Sequence, residues 1–321
     1  MKYLLKILIK IKSFIVYCRF GRVYTNDTYG FNSFFFHLMK ILHKKEYAER
    51  QTYVVDVEKN KLEENGFDKF DINKIFSKKS LESLQFLRNE FDKLSLNDDN
   101  QKKPFLKTFK IKLDDNISCI IDDLTPVVTN YMGCLPIVST TEYWFSPNTE
   151  NQPKRSQEFH TDGEDIKQVR VLIPINEITK DHGPLTLINA KKSYEVYKKL
   201  KKKTVIKNKT EKIADEIFFK FISKNEKNEA IVNSNEIYMV DTCRCYHYGS
   251  RKSKYQRKLI SITFQTPFSI DAPIFNRKML IDKFDSRKHQ LMYSFLQNNF
   301  YYIRENYNLK KFQLKILNLK I

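Results

Sequence analysis

Glycine is scarce in this chain, with 7 among 321 residues, and proline stands at 9. Collagen-like, mucin-like and glycine-linker architectures are therefore excluded. The five cysteines, Cys18, Cys119, Cys134, Cys243 and Cys245, are odd in number and irregularly spaced. That argues against a disulfide framework and for a reducing compartment, so a cytoplasmic location is expected. No apolar run reaches the roughly 18 residues that mark a membrane-spanning helix. Acidic residues are outnumbered by basic ones, 38 to 57, for a net charge of +19. Such an excess favours anionic partners, and a small, anionic substrate fits it. Most of the excess is lysine and no nucleic-acid-binding motif accompanies it, so nucleic acid is not an expected partner. The sequence leaves the oligomeric state open.

What is present is enough for a core: 41% of residues are hydrophobic, including 25 Phe and 18 Tyr. Residues 1–17, MKYLLKILIKIKSFIVY, place Lys2, Lys6 and Lys10 four apart, on one face of a helix. The lysines break the apolar stretch that a signal peptide needs. Such a basic amphipathic helix either rests on an anionic membrane surface as a weak peripheral contact or packs on the protein's own core.

Residues 1–104 read as a helical extension packed on a core. Residues 31–42 resemble a buried helix, and Ser80 opens a stronger one with Leu81, Leu84, Leu87 and Phe91 at helical spacing. The pattern then changes. Residues 107–113 alternate with period two, as a strand does, and a helix is expected around Leu124 and Val128 over 117–132. Strands are expected at 137–145, 169–175, 185–188, 230–232, 237–240 and 259–265. Between them a basic insertion near 191–223 carries ten lysines over 191–212 and a helical stretch at 213–222. Residues 271–321 return to helix, notably 289–303. Short strands flanked by helices predict a mainly β core over 105–270, a sandwich or jelly roll.

Chemistry concentrates at two of the six histidines. In EFHTDGED, residues 158–165, His160 and Asp162 lie two apart, so an extended backbone points both to one face. In DTCRCYHYGS, residues 241–250, His247 follows a strand-like run. Two imidazoles and one carboxylate make the facial triad of non-heme Fe(II) oxygenases, which leaves open positions on the metal. Arg257, ten residues beyond His247, opens a strand and could clamp a carboxylate through its planar fork. A second arrangement competes: Cys243, Cys245 and His247 alternate, and on a strand they would form a thiolate–imidazole zinc site. His182 sits in a D-H-G-P turn and reads as a solvated loop residue. Tyr143 and Trp144 are aromatic candidates for lining a pocket.

The runs FHTDGEDIKQVRVLIPINEITKDHGPLTLINAKKS (159–193) and DTCRCYHYGSRKSKYQRKLISITFQTP (241–267) resemble the phytanoyl-CoA dioxygenase family, a branch of the Fe(II)/2-oxoglutarate-dependent oxygenases. The resemblance implies a double-stranded β-helix, a cupin-like jelly roll. It implies His160, Asp162 and His247 as iron ligands and catalytic residues, and Arg257 as partner of the far carboxylate of 2-oxoglutarate. With Fe(II), 2-oxoglutarate and O2, it implies a hydroxylase that releases succinate and CO2. Three departures stand out. Gly249 occupies a position where the family often has a hydroxyl residue, with Ser250 next. The spacing from His247 to Arg257 is short, so Lys258 or Arg251 could take the carboxylate. Residues 189–193 replace the family's usual turn. The rival expectations are a non-catalytic jelly-roll binding protein and a zinc-binding cupin-like protein.

Overall fold

The computed structural model describes residues 36–37, 40–41, 43–94, 106–147, 153, 155–163, 165–206, 210–251, 253–267 and 284–293. The helices are α1 (Lys44–Gln51), α2 (Leu62–Asn65), α3 (Ile72–Ile75), α4 (Lys78–Asp92), α5 (Asp115–Met132), α6 (Ala190–Lys202), α7 (Asp215–Phe218) and α8 (Arg287–Tyr293). The strands are β1 (Phe67–Asp71), β2 (Lys107–Lys110), β3 (Ile137–Ser146), β4 (Gln168–Pro174), β5 (Thr186–Leu187), β6 (Asn228–Glu229), β7 (Glu236–Asp241), β8 (His247–Tyr248) and β9 (Arg257–Gln265).

Two antiparallel sheets form a jelly roll. The larger runs β1-β7-β4-β9-β3-β2, and the smaller runs β6-β5-β8. Period-two alternation gives the large sheet two different faces. Along β9, Ile260, Ile262 and Phe264 join Val169, Val171 and Ile173 of β4 in an apolar layer shared with the helices. Leu84, Leu87 and Phe91 of α4 and Ile117, Ile121, Leu124 and Val128 of α5 fill that layer. The opposite face turns Leu259, Leu172 and Tyr238 toward Leu185 and Leu187 of the small sheet. The interior between the sheets is where a site can form.

α5 is bounded by its own sequence. The Asp114 carboxylate accepts from the Asn116 and Ile117 amides, and Gly133, at φ +73°, ends the helix in the left-handed region. α6 is amphipathic. Its lysines face outward, while Val196, Tyr197 and Leu200 pack with Phe159, Phe218, Tyr246 and Tyr248 behind the small sheet. The rings of Phe159 and Phe218 stack at 3.9 Å.

Several elements differ from expectation. The helix assigned to Ser80 starts at Lys78, because the Ser77 hydroxyl caps it by accepting from the Ser80 amide. Residues 1–104 are not purely helical: β1 is an edge strand, held by pairing with β7 rather than by alternation of its own. The strand expected at 230–232 lies at Asn228–Glu229, paired with β5, and Val232 makes a single bridge to Ile178. Of the helix expected at 213–222, only the one-turn α7 forms, since Ile213 instead bridges Phe159. Residues 1–17 lie outside the described residues, as do most of 31–42 and everything beyond 293.

Candidate metal centre

His160 and His247 face each other across a backbone bridge: each amide donates to the other's carbonyl, at 3.0 and 2.8 Å. The bridge sets the two rings 4.4 Å apart, centre to centre. Asp162 is brought alongside because its amide donates to the Thr242 carbonyl at 2.9 Å. Asp162 Oδ1 then lies 3.9 Å from Nε2 of each histidine. One donor atom from each of the three residues falls within 4.8 Å of the others, a spacing that suits a single ion.

The remaining hydrogen bonds prepare these atoms as donors. His160 Nδ1 lies 2.8 Å from the Glu158 carbonyl, and His247 Nδ1 lies 3.0 Å from the Cys245 carbonyl. A carbonyl only accepts, so each Nδ1 carries the proton and each Nε2 is left with a free lone pair. Burial pushes the His247 imidazolium down to about 4, with His160 adding to it and Asp162 opposing. Burial would raise the Asp162 carboxyl, but His247, Arg170, His160 and the Thr242 hydroxyl together hold it at about 2. At neutral pH His247 is neutral and Asp162 ionised. Oδ2 of Asp162 accepts from Gln168 Nε2 at 3.0 Å and from Arg170 Nη2 at 3.3 Å, which leaves Oδ1 for a metal.

The donors open into a cavity of about 200 Å³ between the sheets. Leu172, Leu185 and Leu259 form part of its wall, and Arg257 stands there with Ser146 and Ser250. Arg257 is 5% exposed. Its Nη1 donates to the Gly183 carbonyl at 3.0 Å and its Nη2 to the Ser146 hydroxyl at 3.2 Å. Its Nε and the Ser250 hydroxyl are buried, with no hydrogen-bond partner among the described residues. Burial lowers the Arg257 pKa to about 10, so it stays charged at neutral pH. Among the described residues no carboxylate pairs with it.

The two competing cations are engaged elsewhere. Arg251 lies 3.5 Å over the Tyr248 ring and donates to both carboxylate oxygens of Asp215 at 2.9 Å. Lys258 falls on the helix side of β9 and pairs with Asp92 at 3.4 Å. The zinc alternative fails for a geometric reason. Residues 242–245 form a turn, not a strand, so the Cys–Cys–His alternation does not converge. Cys245 Sγ points to the Asn65 carbonyl at 3.5 Å, and neither cysteine joins the donor cluster. His182 sits in a short 3-10 turn with its Nδ1 2.9 Å from the Thr179 hydroxyl, away from the cavity. Of the aromatic pair, Trp144 lines the cavity, whereas Tyr143 is in the helix-side core with its hydroxyl donating to the Leu87 carbonyl at 3.1 Å.

No protein-family model matches the chain, and no curated protein matches it. The fold is similar to solved structures of other proteins. One is HygX from Streptomyces hygroscopicus with nickel and 2-oxoglutarate bound, at 12% identity and a TM-score of 0.43, covering 64% of this chain and 84% of that one. Another is SnoK, a non-heme alpha-ketoglutarate-dependent carbocyclase from nogalamycin biosynthesis, at 9% identity and 0.42, covering 68% and 83%. A third is apo EctD from S. alaskensis, at 12% identity and 0.44, covering 67% and 80%. At this distance the similarity assigns no activity, and the chemistry must come from the donor set itself.

Arg170, Ser146 and Thr242 in the cavity wall, and Gln168 behind Asp162, escaped the sequence reading. Only Arg170 left a trace in sequence, as one charge inside the otherwise apolar run VRVLIPI.

Proposed function

We propose that the protein is an Fe(II)/2-oxoglutarate-dependent dioxygenase of the phytanoyl-CoA dioxygenase type that hydroxylates a small or medium organic substrate. The observation that carries it is the pairing of a two-imidazole, one-carboxylate cluster with a buried, carboxylate-free arginine in one cavity. Such a donor set suits non-heme iron and leaves positions for other ligands. The orphaned Nε of Arg257 and the orphaned Ser250 hydroxyl fit an anionic oxygen at the same end of the cavity.

In this reading His160 Nε2, His247 Nε2 and Asp162 Oδ1 hold the iron. Gln168 keeps Asp162 from turning its second oxygen inward. Arg257, with Ser146 and Ser250 beside it, binds the far carboxylate of 2-oxoglutarate. Leu172, Leu185 and Leu259 exclude water from the reacting atoms. Iron with 2-oxoglutarate and O2 supplies an oxidative decarboxylation that yields succinate and CO2 and leaves one oxygen atom for the substrate C–H bond.

The test is to add Fe(II) and 2-oxoglutarate to metal-free protein without oxygen, then admit O2. A visible charge-transfer band that needs both additions, followed by O2-dependent succinate, is expected. Absence of both would overturn the proposal and leave a binding protein on the same fold.

A further inference from the structure

Arg170 has capacity beyond its one contact with Asp162. It lies on the cavity side of β4, its guanidinium carbon 4.8 Å from the centre of the Trp144 ring. Its side chain is 19% exposed and lines the cavity. Its contact with Asp162 is a single long one, 3.3 Å from Nη2 to Oδ2. Gln168 already holds the same oxygen at 3.0 Å. Gln168 is braced in turn, by the Thr242 hydroxyl at 2.8 Å and by Gln265 at 2.7 Å. Asp162 is thus oriented without Arg170. Among the described residues nothing accepts from Nε or Nη1 of Arg170, although a guanidinium offers five N–H donors.

Position separates this cation from Arg257. β4 and β9 pair with Arg170 opposite Thr263, and Thr263 is six residues along β9 from Arg257. At about 3.3 Å per residue the two backbone positions stand ~20 Å apart. The two guanidiniums therefore reach into the cavity from opposite ends of the sheet face. Charge balance agrees. A divalent metal offsets the dianion of 2-oxoglutarate, and Asp162 offsets one arginine. One guanidinium is left over.

We infer that Arg170 is the substrate anchor: it binds a carboxylate or phosphate group of a small substrate, part of which lies against the Trp144 ring. The inference rests on the oxygenase reading above and names the substrate class for it. Arg suits the task because its planar fork takes two oxygens of one anion while its face stays stacked on the aromatic ring.

Trp144 is the only tryptophan in the chain, so its emission reports on this wall alone. Protein loaded with Fe(II) and saturated with 2-oxoglutarate without oxygen is titrated with acetate, benzoate and inorganic phosphate, and with acetamide and benzamide as uncharged controls. A saturable change in emission is expected with the anions and none with the amides. The preferred probe, carboxylate or phosphate, identifies which group the substrate carries. Arg170→Gln should weaken the anion by about ten- to a hundredfold and leave metal content and 2-oxoglutarate half-saturation unchanged. Arg170→Lys should fall between, because it keeps the charge and loses the fork.

The inference is overturned if wild-type protein saturated with 2-oxoglutarate gives no anion response, or if Arg170→Gln leaves that response unchanged. Loss of metal in Arg170→Gln would make Arg170 a positioning residue for Asp162 instead, and loss of 2-oxoglutarate would reassign it to the co-substrate. Both results overturn the inference as well. If wild-type protein never binds 2-oxoglutarate, the oxygenase reading falls first, and that measurement precedes any anion titration.

Discussion

At the scale of single residues, each side chain of the candidate centre commits one atom to structure and leaves another free. In both histidines Nδ1 is spent on a backbone carbonyl and Nε2 is left free. In Asp162, Oδ2 is held by Gln168, and Oδ1 faces the histidines. Replacing His160 or His247 by Ala removes one of three donors from a site whose scaffold is packed elsewhere. Purified variants are therefore expected to keep the wild-type circular dichroism but lose iron, and normal iron stoichiometry in either would contradict the assignment. Arg257→Leu removes a buried charge-assisted contact. It should weaken 2-oxoglutarate by at least about 1.5–3 kcal/mol, roughly ten- to a hundredfold, with metal affinity kept. Equilibrium titration of Arg257→Leu beside Lys258→Leu checks this, since Lys258 lies on the other face of β9 and should have little effect. The clustering of His160, Asp162 and His247, with Arg257 in the same cavity, was legible in sequence because these residue types are rare in such settings and lie in an ordered series. Gln168, Ser146 and Thr242 were not, because they reach the centre through pairing and turn geometry that no local pattern encodes.

At the scale of elements, alternation carried the information. β3, β4 and β9 were placed to within a residue or two because each has a dense apolar face that only a period-two strand can bury. The same alternation separates Arg257 from Lys258, a choice that spacing alone left open. Elements without a stripe of their own were misread. β1 and β6 are defined by their partners, and α7 is a single turn fixed by the neighbouring bridge between Ile213 and Phe159. The turn before β5 ties fold to site. Gly183 sits at φ +60°, and a Cβ there would lie 2.5 Å from the Ser250 hydroxyl and 3.0 Å from the Arg251 carbonyl oxygen. Its own carbonyl accepts from Arg257. Gly183→Ala should therefore destabilise the protein by about 1–3 kcal/mol. It should also lower affinity for 2-oxoglutarate, because the turn cannot relax without moving the acceptor of Arg257. Thermal unfolding and a 2-oxoglutarate titration on the same variant would show whether both fall; a variant with wild-type melting temperature and affinity would refute the coupling.

At the scale of the whole molecule, the centre should leave a signature in stability against pH when metal is absent. His247 titrates at about 4 in the folded protein against the ordinary 6.5, chiefly because it is buried. Between those values the unfolded chain binds more protons than the native one, so stability falls as the pH drops from about 6.5 toward 4. The loss from this one group is at most about 3 kcal/mol and levels off below pH 4. Asp162, held at about 2, adds its own loss only in a lower window, below the ordinary carboxylate range. Asp165 acts with the opposite sign. Burial raises its carboxyl well above the usual value despite hydrogen bonds from Thr266 and Ile166, so its contribution is lost as the pH rises through its folded value. Because the two slopes oppose each other, the total is uninformative and the difference between two proteins is what isolates His247. Urea denaturation of metal-free wild-type and His247→Gln protein, at steps from pH 7 to pH 4, should show the wild type losing stability relative to the variant as the medium acidifies. Equal slopes would mean that His247 is not held neutral by the fold. Bound metal should flatten the wild-type curve over the upper part of the window, because a ligated Nε2 is unavailable to protons until the ion is displaced.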